Sequence, residues 1–167
     1  MYTPRVVFEV TPLHASACHG HVDTFLLLAE HFPNLDIRGW ADETLLQRTS
    51  YGGHLEIGRW LLDRGADINA LTNFNWTPLH AAAFNGRLEF VRMLLDHGAA
   101  INSPDKSGRT PLHRSGHIEV VRLLLEYGAD LNARDEGGRT PSDFASIYGY
   151  RGVVRLLSEY STKSVEE

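Results

Sequence analysis

The chain keeps a beat. Thr-Pro-Leu-His stands at 11–14, 77–80 and 110–113, so two copies start 33 residues apart and the first lies twice that distance before the second. The copy due at residue 44 is present in altered form, Thr44-Leu45-Leu46-Gln47, and a glycine nine residues after each start keeps step at Gly20, Gly53 and Gly86. A fifth copy, Thr140-Pro141-Ser142-Asp143, follows the fourth after only 30 residues and again has its glycine nine on, at Gly149. A fixed period of this length describes modules that bury their apolar sides against their neighbours instead of around one centre.

Residues 77–109 show what one module contains. Thr77 predicts a helix N-cap and Pro78 fits the first helical position, where a missing N–H costs nothing. Leu79, Ala82 and Ala83 face inward, and Gly86 ends this first helix. Leu88, Val91, Leu94 and Leu95 then recur near a 3.6-residue spacing, leaving Arg87, Glu89, Arg92 and Asp96 for water. Gly98 closes this second helix, and Asp105-Lys-Ser-Gly-Arg109 is a turn before the next start.

These units resemble ankyrin repeats, and the resemblance runs from about Thr11 to about Ser158. It implies an all-α solenoid of helix-turn-helix units joined by β-hairpin-like fingers. The expected organisation is an extended N-terminal segment, 1–10; repeats at 11–43, 44–76, 77–109, 110–139 and 140–158; and a polar tail, 159–167, expected to fray. The resemblance further implies protein binding as adaptor, scaffold or inhibitor. It also places Asn69, Asn102 and Asn132 in a slot that asparaginyl hydroxylases can modify in such repeats, although bonding of the finger backbone explains them without that.

Three places depart from the pattern. Arg5–Val10 lacks a finger sequence, which fits either a local cap or the edge of a longer array. The second helix of the first unit, Val22–His31, runs into Phe32-Pro33-Asn34 instead of a glycine. Repeat four loses three residues from its first helix, about 4.5 Å of rise and 300° of rotation. The expectation is a shift in phase and the weakest joint of the stack.

Other chemistry finds little support. Sixteen Lys and Arg against 21 Asp and Glu give a net charge of −5, so no positive field exists to collect nucleic acid. No apolar run approaches the roughly 20 residues of a membrane span. One cysteine, Cys18, cannot form an internal disulfide and suits an intracellular compartment, cytoplasmic or nuclear. His14, Cys18 and His21 have the spacing of metal ligands on one helix face, the basis for an alternative reading as a metal-dependent enzyme. Gly20 interrupts that helix, however, and the repeat frame already accounts for both histidines, so no metal, cofactor or small-molecule substrate is expected. No Gly-x-Ser-x-Gly turn or phosphate-cradling glycine loop is present. The remaining alternative is a structural piece of a longer array without its own partner.

Positions that vary while the frame stays fixed mark the binding face. The finger tips read Gly39-Trp-Ala-Asp-Glu43, Thr72-Asn-Phe-Asn-Trp76, Asp105-Lys-Ser-Gly-Arg109 and Asp135-Glu-Gly-Gly-Arg139, with the fourth slot always filled by a residue that tolerates positive φ. Trp40 and Phe74 are expected to meet a partner. Trp76 suits partner contact and finger packing equally, and Lys106 sits on the third tip. The first helices add Arg48, Tyr51, Ala81, Phe84, Asn85 and Arg114 on the side that lines the concave face in ankyrin repeats. Trp60 falls in the slot of Met93 and Leu123 and is expected in the core. Net charge runs from −4 over residues 1–43 to +1 over 77–109, which would steer a partner toward one end.

Overall fold

The computed structural model describes residues 11–163 apart from 33, 34 and 36; both readings of segment 1–10 lie outside the described residues. First helices of the units are α1 (Pro12–His19), α3 (Leu45–Gly52), α5 (Pro78–Phe84), α7 (Pro111–Arg114) and α9 (Pro141–Ile147). Second helices are α2 (Val22–Ala29), α4 (Leu55–Asp63), α6 (Leu88–Asp96), α8 (Ile118–Glu126) and α10 (Arg151–Lys163). Each set packs in chain order against its own kind, giving two layers of helices in one all-α solenoid. Leu13, Leu46, Leu79 and Leu112 from the first layer and Ile57, Leu61, Val91, Leu94, Val121 and Leu124 from the second form a continuous core.

Every unit opens the same way. Thr11, Thr44, Thr77, Thr110 and Thr140 are extended N-caps. The residue three positions on closes a capping box in the last four of these units. In three of these units that residue also reaches across to the finger that ends its own unit. The Nε2 of His80 donates to the Arg109 carbonyl (3.0 Å), the Nε2 of His113 to the Arg139 carbonyl (3.0 Å), and the Nε2 of Gln47 to the Ala70 and Trp76 carbonyls (2.7 and 2.8 Å). Gln47 therefore does the work of the histidine with an amide that does not titrate.

A second seam links the turns between helices. A Cβ on Gly20 would strike the His54 ring, one on Gly53 the Arg87 side chain, one on Gly86 the His117 ring and one on Gly116 the Tyr150 ring. The residue after each turn thus lies over the turn of the unit before. His54 Nε2 and Arg87 Nε add bonds to the Cys18 and Tyr51 carbonyls (2.8 and 3.1 Å).

Repeat four absorbs its deletion without the expected change of phase. Val120, Val121, Leu123 and Leu124 of α8 are buried as Phe90, Val91, Met93 and Leu94 of α6 are. What is lost is the last turn of α7. In its place Ser115 (ψ 123°) and His117 (ψ 113°) are extended, and extended backbone advances about 3.3 Å per residue against 1.5 Å in a helix. Distance is recovered, but α7 is too short to lie along α8 as the other first helices lie along their partners.

The ends differ from the sequence reading in two details. α2 stops at Ala29, and His31 and Phe32 follow in turns closed by Leu28 and Ala29 carbonyls (3.0 and 3.2 Å). α10 continues past Ser158 through Lys163, because no left-handed glycine equivalent to Gly65, Gly98 or Gly128 follows it. Trp60, expected in the core, packs against it half-buried: its ring stands edge-on to Phe25 (5.3 Å) and lies under the Arg64 guanidinium (3.7 Å). In the same slot of α2 stands Leu27, which is 62% exposed.

Candidate functional site

The fingers are built by one rule and then joined. Each closes with a backbone bond across five residues: Gly39 to Glu43 (2.8 Å), Thr72 to Trp76 (3.0 Å), Asp105 to Arg109 (2.8 Å) and Asp135 to Arg139 (2.9 Å). Asp42, Asn75, Gly108 and Gly138 take positive φ in the fourth slot, as their types predict; Ala41 does so too. Asn73, Lys106 and Glu136 then donate their N–H to the Ala41, Phe74 and Ser107 carbonyls of the preceding finger (2.9, 3.0 and 2.9 Å). No strand forms among the described residues; successive turns are held edge to edge by these bonds.

Polar side chains at the first slot lock each turn from inside. Thr72 Oγ1 accepts the N–H of Phe74 and of Trp76 (both 3.1 Å). Asp105 Oδ1 accepts those of Ser107 and Arg109 (2.8 and 3.1 Å), and Asp135 Oδ1 those of Gly137 and Arg139 (both 2.9 Å). The second oxygen of Asp105 takes the Arg114 guanidinium, and that of Asp135 takes Arg109 and Arg139. Burial works to raise both carboxyls, but these donors together hold them below the usual carboxylate range.

Six of the residues singled out from the sequence line one groove of about 340 Å³: Trp40, Tyr51, Phe74, Trp76, Lys106 and Arg114. The groove runs between the fingers and the first helices, where Glu43, Thr72 and Asp105 also face it. Trp40 is 62% exposed, Phe74 57% and Tyr51 45%. Trp76 is half-buried and does framework work as well: its ring stacks on His80 (6.1 Å), meets Phe84 edge-on (5.5 Å) and lies beneath Arg114 (5.1 Å). Phe84 is thus a flanking side chain, 44% exposed. Arg48 sits against Glu43 (2.8 Å), whose carboxyl is pushed up by burial although Arg48 draws it down. Ala81 is buried and offers no free surface.

Glu43 and Asp105 escaped the sequence reading as groove residues, although the five-residue spacing of Thr72, Asp105 and Asp135 from the start of the next helix carries the signal. Asn69 and Asn102 bond the following unit, not their own finger: Asn69 Oδ1 accepts the Ala100 N–H and Asn102 Oδ1 the Asp130 N–H (both 2.9 Å). His14 is tied to Thr11 (2.9 Å), and His21 stacks on His19 (5.9 Å). Among the described residues no three His, Cys, Asp or Glu side chains cluster to hold a metal, and no helix is long and apolar enough to cross a membrane.

Comparison with known proteins agrees with this architecture. The family model for ankyrin repeats (3 copies) matches residues 3–72, 51–135 and 108–166. Two similar proteins are the human ankyrin repeat and KH domain-containing protein 1 and the Drosophila melanogaster ankyrin repeat and KH domain-containing protein mask. Each is 37% identical over 60 residues, which cover 36% of this chain but only 2% of the relative. Repeated caps, stacked turns, joined fingers and a family match over most of the length lead to one conclusion: this chain belongs to the ankyrin repeat family.

Proposed function

We propose that the chain is a non-catalytic binding module that grips another protein through the concave groove and the finger tips. Ankyrin repeats are in general protein-protein interaction modules. The observation that carries the reading for this chain is the exposure of Trp40, Phe74 and Tyr51 along one groove, on a framework that has no use for them there. Its role is that of adaptor, scaffold or inhibitor, and the unpaired Cys18 fits the cytoplasm or nucleus.

A Trp40→Ala, Phe74→Ala double variant tests the surface. Both rings are mostly exposed, so the variant keeps its helical signal and melting temperature while losing proteins that the unaltered chain captures from a cell extract. Identical captures by the two proteins would refute the surface. Trp76 stays in place because its removal would also disturb His80, Phe84 and Arg114.

A further inference from the structure

The hydrogen-bonding groups of the groove are lopsided. Its carboxylates offer a partner little: Asp105 accepts from two backbone N–H groups and Arg114, and Glu43 is ion-paired with Arg48, its Oε2 buried without a hydrogen-bond partner. Donors are left over. The indole N–H groups of Trp40 and Trp76, the Tyr51 hydroxyl and the Lys106 ammonium make no side-chain hydrogen bond among the described residues. The groove therefore shows aromatic faces interleaved with unused donors, and its ion pairs cancel except for the charge on Lys106.

A segment that fits must bring flat apolar surface and acceptors, and few donors of its own. Proline supplies all three: a ring that packs on aromatic faces, a carbonyl, and no N–H. Proline-rich segments are also extended before binding, so little ordering entropy is spent on seating them. A helix offers backbone acceptors only in its last turn, since its other carbonyls are engaged, and a β-strand addition needs a free edge, which the finger-to-finger bonds have used. Lys106, at the side of the groove away from Trp40, calls for an acidic residue.

We infer that the groove takes a proline-rich segment of a partner protein in the polyproline II conformation, with an acidic residue placed against Lys106. This rests on the proposed binding face and deepens it. In the complex, the partner's carbonyls accept from Trp40, Tyr51 and Trp76, and its proline rings lie on Trp40 and Phe74.

Three short peptides decide the matter, titrated into the full chain by calorimetry and tryptophan fluorescence. One carries spaced prolines and a terminal aspartate, the second has alanine for proline, and the third has lysine for aspartate. The first should bind, the second about tenfold or more weakly, and the third a few-fold more weakly. Lys106→Glu should reverse the order of the first and third. Trp40→Ala should weaken the first about tenfold with an unchanged circular dichroism spectrum. No binding of the first peptide at millimolar concentration, equal binding of the alanine peptide, or tighter binding of the lysine peptide to the unaltered chain would overturn the inference. If that happens while the Trp40, Phe74 double variant still loses captured proteins, the binding face stands and only the proline reading falls.

Discussion

His80 offers the sharpest test of how a unit's first helix is tied to its finger. Its Nδ1 accepts the Thr77 N–H (3.2 Å), so the ring proton sits on Nε2, which donates to the Arg109 carbonyl (3.0 Å). A second proton would have to face that N–H inside a fully buried site. Burial accordingly pulls the imidazole down from 6.5 to about 4, against the opposing pull of the Arg109 carbonyl. Between these two values the unfolded chain binds a proton that the folded chain refuses. The stability His80 lends is therefore complete above about pH 6.5 and drains away as pH falls toward about 4. The full displacement corresponds to about 3 kcal/mol, of which about 1.4 kcal/mol is already lost near pH 5.5. His80→Gln should flatten this profile, because Gln47 shows in the same chain that an amide makes both bonds: Thr44 N–H to its Oε1 (2.7 Å) and its Nε2 to the Trp76 carbonyl (2.8 Å). Urea unfolding followed by circular dichroism at pH 7.5 and 5.5 gives the two slopes. His14 and His113, which burial also lowers, and Glu43, which burial raises, are present in both proteins and cancel in the difference, apart from the coulombic coupling of His113 to His80. The lowered carboxyls Asp105 and Asp135 lose their contribution only below about pH 4. Parallel profiles for His80→Gln and the unaltered chain would refute the reasoning.

Three further outcomes are expected. Gly58→Ala places a Cβ 2.5 Å from the ring of the buried Phe90; overpacking of about 1–3 kcal/mol exceeds the gain of about 1 kcal/mol in helix propensity, so urea midpoints should fall, and Phe90→Leu in the same background should restore most of the loss. Thr77→Ala should cost about 1–2 kcal/mol and Thr77→Ser less than half of that, since the serine hydroxyl keeps the cap on the His80 N–H and the contact with His80 Nδ1; equal losses would show that the hydroxyl is not what matters. Amide hydrogen exchange should be faster over 110–117 than over 77–86, because α7 keeps only four helical residues and little support from α8; equal protection would show that the extended bridge is as firm as the missing turn.

The legible parts of this molecule are those that a residue decides within its own turn. Threonine caps, prolines at the first helical position and the fourth finger slot follow from φ, ψ and one hydroxyl, so period and local chemistry together yield both helix layers. Contacts beyond the local turn are legible only where translation by one period preserves the residue type. The bridging histidine shows the limit, since Gln47 performs the same act under another name and Thr72 stands in for Asp105 and Asp135. Exchanges of volume across the joint are hidden altogether. Nothing in the sequence around Gly58 says that its missing side chain is filled by Phe90, one unit on, and nothing around Ser115 says that extended backbone can replace a lost turn.

The groove was partly legible for a different reason. The frame consumes its polar groups in closing the fingers and tying them to the first helices, as Asp105, Asp135, Thr72 and Glu43 do, and buries its aliphatic ones between layers. Whatever remains, large and unused, has no structural employment. Trp40 and Phe74 are found by that subtraction, whereas Trp76 resists it because one face of its ring serves His80 and Arg114 while another lines the groove. Subtraction of this kind locates a surface and, carried down to individual donors and acceptors, constrains the chemistry of what can lie on it. A binding site in a solenoid is thus the remainder left after the stack has satisfied itself, and its specificity is written in the groups the stack did not need.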